Sequence, residues 1–351
     1  MMKKNNPKFG IIGCGNISRF HFNGLKKAGA DIARVVDLDE NAAQPYVKAF
    51  GAKFSKNYQD IVNDPGVTAM SILTTGKTHL QMCLDGLAAG KDIICEKTLA
   101  DNPGEAEQIV KAVERSKSLF FVSYMKRFFP AYKKALELLP SLGQIFHTQV
   151  RTFQPWGNFY ETSELGDWDF VFSSYGGAIM KCAGSHMLDA FMGLLGRPDK
   201  VYAHVDYVVK TNFDRKATAL FEYENGSTVH FEAAAHPLKK IGYEKNSWDE
   251  YIEISGTMGR LKFSTVTWDK PENNPALLEF YDNFSESSTE YRFDAVNPFD
   301  IEMDEIYRSL VSREQINPTV VNGFNVDVVI DAMKKSHDSG KSIKIDWRGI
   351  K

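Results

Sequence analysis

The residues best suited to proton chemistry are Glu96-Lys97-Thr98, which follow the apolar run Asp92–Cys95. A lysine at the carboxyl end of a parallel strand, partly desolvated, has its pKa drawn toward neutrality and can take a hydroxyl proton or return one. Glu96 beside it can orient the amine or hold the strand ends by hydrogen bonds. By spacing alone the same lysine also reads as a surface residue after a strand. A reason to expect a redox partner nearby comes from Lys8–Phe20, reading KFGIIGCGNISRF. Gly13 permits a tight turn after the strand Phe9–Ile12, and Gly15 lets a pyrophosphate approach the backbone. Ser18 is small enough for close helix–strand packing where a third Gly or Ala is more usual. The helix opening at Asn16 and Ile17 offers N–H groups and the positive end of its dipole to the phosphates. A purely structural turn is the alternative.

Two more stretches belong to the same end of the sheet. Asp37 closes the run Ile32–Val36, 24 residues after Gly13 (37 − 13 = 24). An acid there accepts hydrogen bonds from the adenosine ribose and repels a 2′-phosphate, which favours NAD over NADP, although Arg34 or another cation could still fold over the site. The same Asp37 could instead cap a helix starting near Glu40. Ligands of a doubly wound sheet lie outside the carboxyl ends of its strands, so Thr74–His79, after the strand Val67–Leu73, should line the cofactor cleft through Thr74, Thr75 and His79. His79 also fits a helix start, with the helix running Leu80–Ala89 to Gly90.

These residues need a scaffold of alternating strands and helices. Residues 1–123 show that alternation, which predicts an α/β Rossmann domain with a doubly wound parallel sheet of six strands. From 124 to 351 the pattern changes to a second domain. Pro130 opens a helix over Ala131–Leu139, and Gln144–Phe153 is a strand. Gln154–Ser174 is a long aromatic segment in which Trp156, Phe159, Tyr160 and Trp168 suit the apolar faces of a sugar, or else pack the domain. Ser185 is a candidate N-cap for a helix ending at Gly193 or Gly196. Period-two runs between Val201 and Phe263 predict mainly antiparallel strands with one covered face, and the helices Phe299–Ser312 and Val326–Ser339 are expected to close the domain.

Composition sets bounds. The 351 residues are 43% hydrophobic and 25% charged with a net charge of −3, which suits globular cores and argues against a nucleic-acid surface. No apolar run approaches the ~20 residues that span a bilayer, and the basic start MMKKNNPK lacks an apolar region that would make it a secretory signal. Four scattered cysteines (Cys14, Cys83, Cys95, Cys182) read as reduced thiols of a cytoplasmic protein, without a metal site.

Taken together, GxGxxS, the strand-end Asp37, TTxxxH, GKDIICEKTLA, KRFFPAY and GGAIMKCAGSHMLDAF resemble the Gfo/Idh/MocA family, the glucose–fructose oxidoreductase and inositol dehydrogenase group. The resemblance runs from Phe9 to about Ile345. It implies an N-terminal Rossmann domain, a C-terminal α/β domain over 124–351 for substrate binding and oligomerisation with a large open, mainly antiparallel sheet, and a homodimer or homotetramer. It implies that Lys97 is catalytic, that Arg127 is either the family's basic residue near the cleft or a salt-bridge partner, and that His186 contacts substrate, unless it is a packed core histidine. An Asp stands four residues before that His in the family; here the position is Cys182, preceded by Lys181, and a thiol is no anionic acceptor unless its pKa is strongly lowered. Asp189, three residues beyond His186, could fix the imidazole tautomer. EKP reads Glu96-Lys97-Thr98, and TPxxxH reads Thr74-Thr75-Gly76-Lys77-Thr78-His79. The implied activity is hydride transfer between nicotinamide and a ring carbon of a sugar, polyol or sugar derivative, with Lys97 as proton donor or acceptor and Lys97, Arg127, Trp156, Cys182 and His186 at the substrate. Two alternatives are a sugar-modifying enzyme that retains NAD and recycles it internally, and a non-catalytic nucleotide or sugar sensor.

Overall fold

The computed structural model describes residues 6–351, the side chain of Tyr175 excepted; the basic start of the chain, residues 1–5, lies outside them. The chain divides into two compact units, one of Met1–Tyr124, Phe299–Asp327 and Ile350–Lys351, the other of Met125–Pro298 and Val328–Gly349.

The first unit holds six strands: β1 (Lys8–Ile12), β2 (Asp31–Val36), β3 (Lys53–Ser55), β4 (Ala69–Ile72), β5 (Asp92–Cys95) and β6 (Phe120–Val122). They pair in the order β3-β2-β1-β4-β5-β6, all parallel. Every residue of β4 and β5 is buried, as expected of central strands covered on both faces. The order reverses between β1 and β4, the place where an open α/β sheet leaves a crevice. Helices α1 (Ser18–Lys27), α2 (Glu40–Phe50), α3 (Gln59–Val62), α4 (Gly76–Ala88) and α5 (Pro103–Glu114) connect the strands. The sequence supplies their ends: Asn102 caps α5 by accepting from Glu105 N at 3.1 Å, Pro103 opens it, and Gly51 closes α2 in the left-handed region.

Two expectations about this unit are corrected. Helix α4 begins at Gly76 rather than Leu80, because Thr75 is the last extended residue (φ −93°, ψ 150°); the loop is residues 73–75, and His79 lies in the first turn. Helix α9 (Pro298–Ser312) does not close the second domain. Its Met303, Ile306 and Leu310 join Phe9, Ile11, Phe22 and Leu25 in one core, and Phe299 stacks on Phe20 at 4.4 Å. An amphipathic period shows that one helix face is covered but not which sheet covers it. Helix α10 (Val320–Ser339) starts earlier than the expected Val326 and contributes residues to both units.

The second unit is built on nine strands: β7 (Ile145–Gln154), β8 (Lys200–Tyr207), β9 (Asp214–Glu222), β10 (Thr228–Ala235), β11 (Asp249–Gly256), β12 (Gly259–Ser264), β13 (Leu277–Asp282), β14 (Ser287–Tyr291) and β15 (Ile343–Lys344). The order is β14-β13-β12-β11-β7-β10-β9-β8-β15; β7 and β10 run parallel and the other pairs antiparallel. Burial alternates along β8 and β9, so one sheet face is covered. Helices α6 (Pro130–Leu138), α7 (Trp168–Tyr175) and α8 (Ser185–Leu195) complete the unit. The aromatic segment Gln154–Ser174 is thus a loop only as far as Asp167. Among the described residues, no helix is long and apolar enough to cross a membrane.

Candidate active site

Within the first unit, the glycine turn lies at the β1/β4 reversal. Gly13 has φ +99°, and a Cβ there would stand 2.7 Å from Leu73 O, so only glycine fits. Around the Cβ position of Gly15 nothing lies within 4 Å, which leaves its backbone open to a ligand. Helix α1 follows with Ile17 as an N-cap that makes no side-chain hydrogen bond, and with no acid in its first turn. Ser18 Oγ donates to Gly15 O at 2.7 Å and ties the turn to the helix. Open backbone, an uncapped helix start and the absence of acid suit a pyrophosphate.

Asp37 is not the N-cap of α2; Asp39 is, accepting from Asn41 N at 2.9 Å. Asp37 is directed onto the glycine turn instead, with Oδ2 accepting from Cys14 N at 2.6 Å and Oδ1 from Asp39 N at 2.7 Å. Burial, aided by that carboxylate, pushes the Cys14 thiol up to about 12, so it stays protonated. Arg34 is engaged elsewhere: its Nε donates to Asp64 Oδ2 at 2.5 Å and holds that carboxyl below the usual carboxylate range.

Lys97 is not a surface residue; only 7% of it is exposed. The stretch from Glu96 to Ala100 leaves β5 fully buried, and a buried loop must find partners for its own backbone. Three other elements and the Glu96 side chain, itself held by α1, provide them. Glu96 N donates to Ile72 O of β4 at 2.9 Å. Glu96 Oε2 accepts from Lys97 N at 3.1 Å, and Oε1 lies 2.9 Å from His21 Nε2 of α1. His79 Nδ1 of α4 lies 2.9 Å from Thr98 O. Asp327 Oδ2 of α10 accepts from Ala100 N at 2.9 Å. His79 is therefore a brace for the loop; burial depresses its pKa and keeps the ring neutral, with the proton on Nδ1 where the shorter contact is. The Lys97–Thr98 peptide is cis.

In the second unit, Arg127 lies on the single-turn 3₁₀ helix Met125–Phe128. Its guanidinium grips Asp189 of α8 in a two-pronged pair, Nε to Oδ2 at 2.7 Å and Nη2 to Oδ1 at 2.6 Å. Asp189 is thus committed to Arg127 and does not serve as the tautomer-fixing acid of His186; burial raises its carboxyl pKa, against the pull of Arg127. The same 3₁₀ turn is anchored by a buried ion pair between Lys126 and Glu250, whose Oε1 also accepts from Thr152 Oγ1 at 2.7 Å.

Ser185 is not an N-cap. Residues Met180–Gly184 form a π turn that runs directly into α8, and Ser185 Oγ donates back to Lys181 O at 2.8 Å. Such turns recur at functional sites. The anchor of this helical run is Asp214 of β9, which accepts from Ala178 N at 2.9 Å and Met180 N at 2.6 Å. Cys182 lies in the π turn and packs with Phe159, Phe172, Ala178, Val208 and Ala235. Trp156 joins that cluster and stacks on Trp168 at 4.8 Å, so it shares an apolar wall with Cys182. Phe170 is 79% exposed. His186 is half-buried on the first turn of α8. All four cysteines are buried and none forms a disulfide.

Sequence reasoning passed over His21 and Asp214. His21 shares a helix face with Leu25, four residues on, and a histidine on a core-facing stripe was the one available signal. Asp214 opens a strand and carries no local mark of a helix anchor 36 residues away.

The comparisons with known proteins agree with this architecture. A family profile described as "Oxidoreductase family, NAD-binding Rossmann fold" matches residues 7–124, and one described as "GFO/IDH/MocA C-terminal domain" matches residues 134–262. The chain is 26% identical over 346 residues to an inositol 2-dehydrogenase of Burkholderia cenocepacia (strain HI2424), covering 95% of this chain and 94% of that one. It is 22% identical over 344 residues to the inositol 2-dehydrogenase of Salmonella typhimurium (strain LT2), covering 95% of each. A solved levoglucosan dehydrogenase in complex with NADH and levoglucosan shares the fold at TM-score 0.82 and 19% identity, over 97% of this chain and 100% of that one.

Proposed function

Because the chain belongs to the Gfo/Idh/MocA oxidoreductase family, we propose that it is an NAD-dependent dehydrogenase or reductase acting on a CH–OH group of a sugar, polyol or sugar derivative. The observation that carries this reading is Lys97: a buried lysine at the carboxyl end of β5, in the unit that also bears the glycine turn. Burying a lysine is costly unless it is used or compensated. A nicotinamide dinucleotide held by Gly13, Gly15, Asn16 and Ile17 supplies the hydride acceptor or donor, with Thr74, Thr75 and Glu96 on the nicotinamide side and His79 bracing behind them. Lys97 takes the substrate hydroxyl proton in the oxidative direction and returns it in the reductive one. His186 positions the substrate, with Arg127, Trp156 and Cys182 shaping its site. NAD rather than NADP is supported by Asp37, whose carboxylate is fixed on the turn by two backbone N–H groups, while Arg34 is held by Asp64. Inositol and levoglucosan, named for the relatives, support a cyclic polyol or sugar. A homodimer or homotetramer belongs to the same reading, supported by the exposed Tyr202 and Leu220, paired across β8 and β9.

The test is NADH formation from NAD over a panel of inositols, sugars, anhydrosugars and sugar acids, repeated with Lys97→Ala. Turnover by the native enzyme and its loss in the variant are expected; full turnover by Lys97→Ala refutes the mechanism. A second reading is favoured by Cys182, whose apolar packing leaves no carboxylate at that place: a sugar-modifying enzyme that keeps its NAD and restores it within each cycle. Stoichiometric accumulation of NADH excludes it.

A further inference from the structure

His21, paired with Glu96 in the interior, is left without a task by the proposed chemistry. His21 is fully buried and Glu96 only 3% exposed. With the carboxylate ionised, His21 Nε2–H is the donor to Oε1 at 2.9 Å, and the other oxygen accepts from the main-chain N–H of Lys97 at 3.1 Å. That tautomer leaves Nδ1 as a lone pair, buried with no hydrogen-bond partner among the described residues. Stability alone is a poor reason to keep such a ring. The gain from a hydrogen bond to a charged group and the cost of an unsatisfied buried polar atom are of similar size, so the two nearly cancel. A phenylalanine would pack the same space without the penalty. What remains is geometry: His21 belongs to α1, the helix that opens from the glycine turn, and Glu96 immediately precedes Lys97.

We propose that His21 is a positioning residue, which through Glu96 holds the Lys97 backbone in register with the helix that receives the dinucleotide phosphates. The proposal rests on the reading of Lys97 as the proton-transfer group. A reacting group misplaced by about an ångström loses on the order of a hundredfold in rate, so the pair matters to turnover out of proportion to its effect on folding.

The experiment compares the native enzyme with His21→Phe, which keeps a ring but no donor, and His21→Gln, which restores an N–H near the Nε2 position. Hydrogen exchange of the segment 94–99, followed by mass spectrometry, is measured on each, together with NADH affinity by fluorescence. His21→Phe is expected to speed exchange at Lys97 about tenfold or more, leave the NADH Kd within about threefold, and lower kcat about 10–100-fold with KM little changed on the best panel substrate. His21→Gln is expected to recover most of the protection and the rate. If His21→Phe does not fold, Glu96→Gln carries the same test, since its amide retains one of the two acceptors, and it is expected to show an intermediate effect. Native protection at 94–99 in His21→Phe overturns the proposal, as does unchanged kcat. Failure of the Lys97 reading is separately visible as turnover by Lys97→Ala, and it removes the catalytic half of the claim.

Discussion

The two units bring their chemistry to readiness by opposite means. In the first, the loop that carries Lys97 is braced by buried titratable side chains: His21 with Glu96, His79, and Asp327. In the second, the helical run that carries Cys182 and His186 is held by Asp214 and by the Arg127–Asp189 pair, but what packs around Cys182 is an aromatic wall in which Trp156, Trp168 and Phe172 stack. Hydrogen-bonded braces set positions sharply, because a buried polar group has few acceptable places. An apolar wall tolerates changes of shape so long as the volume is filled. Under the proposed function, the contrast assigns the two tasks to different places: proton transfer to the polar mount, specificity to the wall.

The largest effect expected from breaking this contrast is at Lys97. Lys97→Ala should lower kcat about 10²–10⁴-fold while leaving NADH binding near native, as measured by steady-state kinetics and fluorescence titration. Next comes Arg127→Met, which leaves Asp189 charged and buried without its guanidinium; urea unfolding should show a loss of about 3–5 kcal/mol. A loss below 1 kcal/mol would mean that the pair is not what holds the turn at Met125–Phe128 to α8.

Cys182→Asp sharpens the comparison from the other side. It places a carboxylate in an apolar wall, so substrate preference across the panel should shift about tenfold in relative kcat/KM, toward polyols with one more hydroxyl to donate, while the NAD Kd stays put. Preference unchanged from that of Cys182→Ser would show that this position does not face the substrate.

The smallest effect concerns pH. His79 has a folded-state pKa depressed below its ordinary value of 6.5, so the unfolded chain binds the proton first. Its contribution to stability is complete above about pH 6.5 and is lost as the pH falls toward the folded-state value, with a slope of up to about 1.4 kcal/mol per pH unit. His79→Asn keeps a donor near Nδ1 but does not titrate. Its unfolding free energy should fall less steeply between pH 6.5 and 5 than that of the native protein; parallel slopes would remove His79 from the account.

Much of the first unit was legible because its signals are local. A turn that needs Gly13, a strand of apolar residues before it and an acid 24 residues on are all consequences of short-range geometry, and six strands alternating with helices follow from periodicity. Where the reading failed, the deciding partner lay far along the chain. Helix α9 looked like a lid for the nearest sheet in sequence, yet it covers Phe9 and Leu25. Ser185 had the chemistry of an N-cap, but Asp214 had already anchored the run upstream, so the helix passes through Ser185 without stopping. Asp37 matched a helix cap equally well until Asp39 proved two residues better placed.

The sequence by itself determined the backbone menu: where glycine is required, which runs are strands, and that an acid and a lysine stand at strand ends. It determined these because turn sterics, side-chain alternation and helix capping act over a few residues. Only the tertiary structure decided what those residues touch. It buried Lys97, bound Glu96 to a histidine 75 residues earlier, committed Asp189 to Arg127 and set Cys182 in an aromatic wall. Burial and pairing are properties of the packed chain, and no local rule contains them.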